Sequence, residues 1–294
     1  MTNLEEKYGE IAICIATRAR PSEIGLLLQS LRTQTYKKFS VFILEDNPED
    51  RSCLEFYFVN YLVTRLKLEG HLVFFERTPY TYGVSKARQR LYEWASKGDY
   101  QLFARLDDDV ILEPDYLERL VKVIDQGYDI ASGVTPPLTP SFIRNSETIN
   151  IADEVVLDKE GNFLIDYDDC GFQYTGEKII PCHHFRSCAL MKRQVHEKVS
   201  YNSKLSKHGY REETLFSFKA QIEGFKIGVD LQAKAFHLNC PSGGERFNDQ
   251  MQLAQFNQSQ LKDWVKENKD KLCKLFPYRE LTEQELKRDN NLAK

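Results

Sequence analysis

The chain contains no apolar run near the roughly 18 residues that a membrane-spanning helix requires, so no such span is expected. The first ten residues, MTNLEEKYGE, are polar and acidic, and no secretory signal is read there. Its seven cysteines (Cys14, Cys53, Cys170, Cys182, Cys188, Cys240 and Cys273) are an odd number and form no CxxC pair. The fragment Cys182-His183-His184 has no second half-site and reads as a structural cluster rather than a metal centre. A reducing cytoplasm is the expected compartment. There is no excess of one charge: 40 Lys and Arg stand against 44 Asp and Glu, which argues against binding nucleic acid by electrostatics. Internal repeats, low-complexity segments and a Gly-rich, Lys-bearing phosphate loop are also lacking. What remains is an ordinary globular composition, 41% apolar and 29% charged over 294 residues, enough for one large α/β domain or two modest ones.

The apolar pattern alternates between short runs and helical spacing. Residues 11–16 (IAICIA) predict a first buried strand, followed by the loop Thr17-Arg18-Ala19-Arg20-Pro21 with Ser22 as the cap of the next helix. In that helix Ile24, Leu27, Leu28 and Leu31 recur at core spacing. Residues 39–44 and 71–75 predict strands, with an aromatic-rich helix over 51–68 between them and another helix over 83–96. Residues 102–106 and 129–134 complete the series, separated by a helix with Leu117, Leu120, Val121 and Ile124. Such alternation indicates βαβ units and a mainly parallel sheet. After Pro136-Pro137 the rhythm breaks. An insert over residues 143–181 holds an expected hairpin around Lys159-Glu160-Gly161-Asn162, and its Tyr167, Phe172 and Tyr174 are candidates either for stacking on a sugar ring or for the core. Residues 185–191 read as strand-like, residues 211–223 as a helix stopped by Gly224, and residues 225–229 and 233–238 as two late strands. Past Pro241 lies a polar helical tail with Phe256, Leu261, Trp264 and Val265.

The chemistry concentrates at the end of the fourth strand, QLFARLDDDVILEPDY. Three adjacent carboxylates, Asp107, Asp108 and Asp109, repel one another and are costly to desolvate without a partner. Mn²⁺ or Mg²⁺ removes that conflict, because such cations prefer carboxylate, water and phosphate oxygen. On an extended backbone Asp107 and Asp109 point to the same side. Ligands of open α/β sheets bind at the carboxyl ends of strands.

With these pieces in order, residues 11–238 resemble the family-2 glycosyltransferases of the GT-A fold. Residues 11–21 are similar to that family's first strand and donor loop, and Leu44-Glu45-Asp46-Asn47 stands where it has an Asp-Asp-Gly or Asp-Asp-Asn turn. Gly83-Val84-Ser85-Lys86-Ala87-Arg88-Gln89 resembles its Gly-x-x-x-Ala-Arg-Asn helix start. Leu106-Asp107-Asp108-Asp109 resembles the Asp-x-Asp motif. Arg211-Glu212-Glu213 with Gly224-Phe225 resembles the Glu-Asp pair and Gly-Tyr ending around the catalytic base. Three positions depart from the pattern: Gln89 for Asn, Lys219 for Arg, and Glu213 for the commoner Asp.

The resemblance implies a GT-A domain over residues 1–240, with a donor half to about residue 135, an acceptor half beyond it, and a separate tail over 241–294. It implies an inverting transfer from a nucleotide diphospho-sugar, with a uridine donor favoured, to a carbohydrate or lipid-linked glycan, at a peripheral membrane surface if the acceptor is lipid-linked. Asp109, Asp107 and His237 are the implied metal ligands for Mn²⁺ or Mg²⁺. Thr17, Arg18, Asp46, Lys86, Arg88, Asp107 and Asp108 are the implied donor-binding residues. Glu213 is the implied general base and Glu212 its alternative, since an acceptor hydroxyl is a poor nucleophile near neutral pH until a carboxylate takes its proton. A haloacid-dehalogenase phosphatase carries its Asp-x-Asp on the first strand, whereas this first strand ends in Thr17. A nucleotidyltransferase lacks support without a phosphate loop. A protein of the same fold that only binds nucleotide sugars is separated from an enzyme by donor hydrolysis.

Overall fold

The computed structural model describes residues 3–47, 51–139, 142–166, 172–201, 204–207, 209–239 and 250–286. In chain order its first half comprises α1 (Asn3–Tyr8), β1 (Ile11–Thr17), α2 (Pro21–Arg32), β2 (Phe39–Glu45), α3 (Tyr57–Leu68), β3 (Val73–Arg77), α4 (Val84–Ala95), β4 (Leu102–Asp107), β5 (Val110–Leu112), α5 (Tyr116–Asp125) and β6 (Ile130–Val134). The second half adds β7 (Phe142–Asn145), β8 (Glu154–Leu157), β9 (Phe163–Asp166), β10 (Phe172–Thr175), β11 (Ile179–Pro181), β12 (Ala189–Lys192), α6 (Arg193–Lys198), α7 (Glu212–Ile222), β13 (Ile227–His237), α8 (Gln250–Glu267) and α9 (Lys269–Leu272).

The main sheet runs β11-β13-β6-β12-β4-β1-β2-β3, with β5 paired to β13 off that path. β1 is parallel to β2 and β4, and the register sets Thr17 opposite Glu45 and Ala16 opposite Asp107. The carboxyl ends of these three strands therefore share one edge. Residues on alternate faces of β1 go to different cores, as a period of two demands. Ile11, Ile13 and Ile15 pack with Ile24, Leu27, Leu28 and Leu31 of α2. Ala12 and Cys14 pack with Ala87, Leu91 and Tyr92 of α4. A sheet covered on both faces explains why β1 reads as a continuous apolar run.

The structure is an α/β fold with a mixed, mainly parallel sheet flanked by helices. β12 enters antiparallel between β4 and β6 and divides the parallel strands into two groups. β13 starts parallel to β6, shifts register between Val229 and Lys234, and ends antiparallel to β5 with His237 opposite Val110. The two late strands read from sequence are thus one strand. The hairpin around residues 159–162 is formed by β8 and β9, with Leu157 opposite Phe163. A third core joins Val155, Leu157, Phe163 and Ile165 to Leu215 and Phe218 of α7 and to Leu261, Val265, Leu272 and Phe276. Trp264 packs partly against this core, whereas Phe256 is exposed.

Several local expectations change. Ser22 is not the cap of α2: Arg20 holds that position without a side-chain cap, and Pro21 starts the helix, where its fixed φ and missing N–H cost nothing. The helix expected over 51–68 is a 3₁₀ turn, Cys53–Glu55, followed by α3. That turn has a capping box in which Ser52 and Glu55 satisfy each other's backbone donors. His71 precedes its strand, stacked on Phe39 with ring centres 3.9 Å apart. Only Ala189–Lys192 of the region 185–191 is strand. The extended course expected through the acidic triplet stops at Asp107, and Asp108 and Asp109 form a turn. Tyr174 is buried in the core. Tyr167, Cys170, Cys240 and the joint at 241–244 lie outside the described residues, as does the side chain of Phe172. The remaining cysteines are free thiols.

Candidate active site

A cavity of about 430 Å³ opens at the carboxyl edge of β1, β2 and β4. Its lining includes Thr17, Arg18, Asp46, Arg88, Asp107, Asp108, Asp109, Glu212, Glu213 and His237, so one pocket gathers residues spread over more than two hundred positions. Lys86 does not line it and is exposed.

Each acidic residue of the triplet has a different surrounding. Asp108 turns back toward β1, accepting from Thr17 Oγ1 at 2.8 Å and from Arg20 Nη1 at 2.9 Å. Burial pushes its carboxyl up to about 6 against the pull of Arg20. Arg20 also lies 3.0 Å from Asp109 Oδ2, a buried oxygen with no well-formed hydrogen bond. Asp107 accepts from Arg88 Nη2 at 2.5 Å. Burial opposes its charge, but the guanidiniums of Arg88 and Arg105 prevail and hold it well below the usual carboxylate range.

β13 brings His237 to this edge, with its Nε2 3.3 Å from Asp109 Oδ1 and its Nδ1 2.5 Å from Asn239 Oδ1. Burial disfavours the imidazolium, yet the hydrogen bond to Asp109 and the charges of Asp109 and Asp107 raise it to about 9. One ligand atom from each of Asp107, Asp109 and His237 lies within 4.8 Å of the others. Two carboxylates and an imidazole are a donor set that fits Mn²⁺. The His183 half of the Cys182-His183-His184 fragment is used structurally: its Nδ1 accepts from Val155 N.

Asp46 sits at the end of β2 and is buried. Its carboxylate accepts from Thr78 Oγ1, Tyr82 N and Gly83 N at 3.0, 2.7 and 2.8 Å. It thereby anchors the segment that enters α4. Gly83 caps that helix with φ of 82°, and a Cβ there would come within 2.6 Å of Lys207 Cα. Glycine is required on both counts.

On the opposite wall, α7 starts at the Glu212–Glu213 pair, and the two carboxylates part. Glu212 is buried, 2.9 Å from both Arg88 Nε and Arg105 Nη2. Burial pushes it up to about 7, opposed by Arg105 and Arg88 and reinforced by the nearby Glu213 and Asp107 charges. Glu213 keeps 24% of its side chain exposed toward the pocket and has Arg105 Nη2 at 3.2 Å. The following residue, Thr214, is held by His184: its Oγ1 lies 3.0 Å from Nε2, while Nδ1 of the same ring faces Asp153 Oδ2 at 3.4 Å. Asp153 in turn accepts two bonds from Arg186.

Arg105 is the residue that sequence reading passed over. It is 1% exposed, donates to Tyr201 OH, and lies 5.5 Å from the Phe185 ring. An arginine in the middle of an apolar strand needs buried partners, so Leu102-Phe103-Ala104-Arg105-Leu106 did carry a signal. Arg20, Arg186, Lys207 and Arg211 also line the pocket without having been singled out for it, and His184, a lower-ranked candidate beside the strand expected to border the acceptor, lines it too.

Fold and site together define a class: an open α/β sheet whose strand-end pocket sets an acidic, imidazole-completed corner against a carboxylate-bearing helix start. The glycosyl transferase family 2 model matches residues 12–200, and the chain belongs to that family. A curated relative from Haemophilus influenzae, described as an uncharacterized glycosyltransferase, is 30% identical over 120 residues. That match covers 41% of this chain and 36% of the relative, so it spans roughly a third of the relative's length. Among solved structures, GalNAc-T7 with UDP, GalNAc and Mn²⁺ superposes with a TM-score of 0.63 at 13% identity, covering 89% of this chain and 51% of that one. S. aureus TarS 1-349 in complex with UDP-GlcNAc gives 0.57 at 12% identity, covering 87% and 70%. At these identities the two structural likenesses are ones of fold.

Proposed function

We propose that this chain is an inverting glycosyltransferase that moves a sugar from a UDP-sugar to an acceptor hydroxyl. The observation that carries the reading is a single pocket in which the Asp107, Asp109 and His237 cluster shares a cavity with the half-buried Glu213. GalNAc-T7 and TarS, solved with UDP or a UDP-sugar, support the uridine donor. A base-reading role for Asp46 is compatible with its bonding: Oδ1 accepts from Thr78 and Tyr82 N, while Oδ2 accepts only from Gly83 N and keeps a lone pair for a base N–H.

Asp107, Asp109 and His237 would hold Mn²⁺ or Mg²⁺. Bound there, the cation supplies charge neutralisation at the leaving diphosphate. Thr17, Arg18 and Arg88 line the donor side. Asp108 serves that side by tying Thr17 and Arg20 to the strand end. Glu213 takes the proton of the acceptor hydroxyl as its oxygen bonds to the anomeric carbon. The bond from that carbon to the diphosphate oxygen breaks, and its electron pair leaves with the diphosphate. Attack opposite the leaving group inverts the centre. Glu212, buried between Arg88 and Arg105, is the holder of those two guanidiniums rather than the base. The acceptor is a carbohydrate or lipid-linked glycan; among the described residues no helix is long and apolar enough to cross a membrane.

The test is a screen of nucleotide sugars for Mn²⁺-dependent thermal stabilisation, followed by NMR of the newly formed anomeric centre. Stabilisation by a UDP-sugar and an inverted product are expected. Equal or tighter binding of GDP than UDP by calorimetry would remove the uridine assignment, and a retained configuration would overturn the mechanism.

A further inference from the structure

The stripe of α8 that faces the protein carries Ala254, Asn257, Gln258, Leu261 and Val265 at helical spacing, and all five are buried. Ala254, Leu261 and Val265 suffice to dock an amphipathic helix. Asn257, at 0% exposure, does not follow from docking, since a buried amide is costly unless its polar atoms are paired. Its atoms are paired with one loop. Oδ1 accepts from Ser206 N at 2.7 Å, and Nδ2 donates to Tyr210 O at 3.0 Å. One side chain thus staples two points of the segment four residues apart. Its neighbour Gln258 accepts from Arg211 Nε at 2.8 Å. Arg211 is the left-handed residue, φ 66°, directly before Glu212 and Glu213.

The stapled segment touches both walls of the pocket. At its near end Lys207 O accepts from Val84 N at 3.1 Å, on the first residue of α4. The approach is close in both directions. Gly83 has no room for a Cβ against Lys207, and a Cβ on Gly209 would meet Val84 Cβ at 2.7 Å. At its far end the segment becomes the start of α7. Lys207, Gly209, Tyr210 and Arg211 all line the pocket, and so does Leu253 of α8.

We infer that Asn257 and Gln258 are positioning residues of the active site, so that α8 is part of the catalytic unit rather than an appended tail. By fixing residues 205–207 and 209–211, the pair sets the distance between the donor-side helix start at Gly83–Val84 and the base-bearing start of α7. The inference rests on the proposed function for its catalytic meaning, though its structural part stands apart from it.

The experiment uses the full chain and four variants: Asn257→Leu, which keeps the volume and loses both bonds; Asn257→Asp, which keeps the acceptor for Ser206 N; Gln258→Leu; and Gln258→Glu, which keeps the acceptor for Arg211. Amide exchange is followed over peptides covering residues 82–88 and 204–213, and calorimetry measures UDP with Mn²⁺ and Mn²⁺ alone. In Asn257→Leu and Gln258→Leu, exchange at both peptides should accelerate about tenfold while the β1 and β4 peptides stay protected. The Kd for UDP with Mn²⁺ should rise about tenfold, with that for Mn²⁺ alone within twofold of wild type. Gln258→Glu should match wild type, and Asn257→Asp should fall between. A change that spreads equally over β1 and β4 would mark the pair as general packing and overturn the inference. So would wild-type exchange and wild-type UDP affinity in both leucine variants. Failure of the wild-type chain to bind UDP with Mn²⁺ would instead count against the uridine reading, and the exchange data would still decide the positioning role.

Discussion

The two walls of the pocket are built in different ways. The donor wall comes from successive βα units, with Thr17, Asp46, Arg88 and Asp107 each at or near the end of a strand or the start of the helix after it. The opposite wall is assembled from His184, Arg186, Lys207, residues 209–211, the start of α7 and α8, with Asp153 bracing His184 and Arg186 from behind. One wall follows from a repeated local pattern. The other depends on pieces far apart in the chain: Phe185, between His184 and Arg186, packs in the core shared with β1 and α4, whereas Leu205, Leu215 and Leu261 pack in the third core. The Glu212–Glu213 pair stands at the seam, with Glu212 bound into the donor side through Arg88 and Glu213 left to the pocket.

That contrast can be broken experimentally. The largest effect is expected on the donor side: Asp109→Ala should abolish transfer and weaken Mn²⁺-dependent nucleotide binding while the fold persists. Full activity of this variant in Mn²⁺ would remove the metal assignment. Next comes the seam. Glu213→Gln should lower the transfer rate by roughly 10²–10⁴, with donor affinity and melting temperature near wild type. Glu212→Gln should do the reverse, losing about 1–3 kcal/mol of stability from the Arg88 and Arg105 cluster and much less rate. A larger loss of kcat from Glu212→Gln would exchange the two roles.

The third core tests whether the opposite wall is a unit of its own. Leu261→Ala removes a fully buried side chain and should cost about 2–4 kcal/mol. A single melting transition is expected, because α7 contributes Phe216 and Ala220 to the neighbouring core while Leu215 and Phe218 enter the third. A separate low-temperature transition would make the two walls independent.

The smallest effect concerns pH. His196 stacks on Tyr92 with ring centres 3.6 Å apart, and burial lowers its imidazole to about 3. Its folded pKa lies below the unfolded value near 6.5, so its contribution is complete above that pH and is lost as pH falls toward 3. At pH 5 the loss should be about 1–2 kcal/mol. His196→Phe should flatten this part of the stability profile, measured by denaturant unfolding, and an unchanged slope would place the proton elsewhere.

Much of this architecture could be read in advance, and the misses share a cause. The buried strands, the core spacing of α2 and α5, the hairpin at residues 159–162 and the acidic strand end all rest on signals within about ten residues. Ser is the commoner cap residue, but Pro21 starts the helix and leaves Arg20 in the cap position, so Ser22 lies inside α2. The late strands were split because the register shift in β13 resembles a break. Arg105 is one charge within an apolar run, and its partner Glu212 lies 107 residues away, so no local pattern marks the pair.

By itself, then, the sequence determined the α/β frame, the acidic corner at the end of β4 and the family to which the chain belongs. Hydrophobic period, strand-end carboxylates and motif order are properties of nearby residues, and they persist whatever the rest of the chain does. Tertiary structure decided that β13 carries His237 to Asp109, that Glu212 is buried and Glu213 is not, and that Asn257 holds the backbone of Ser206 and Tyr210. Those are pairings of segments far apart in the chain. They are selected by which buried polar groups can be satisfied together once the cores have closed, and a one-dimensional pattern carries no record of that competition.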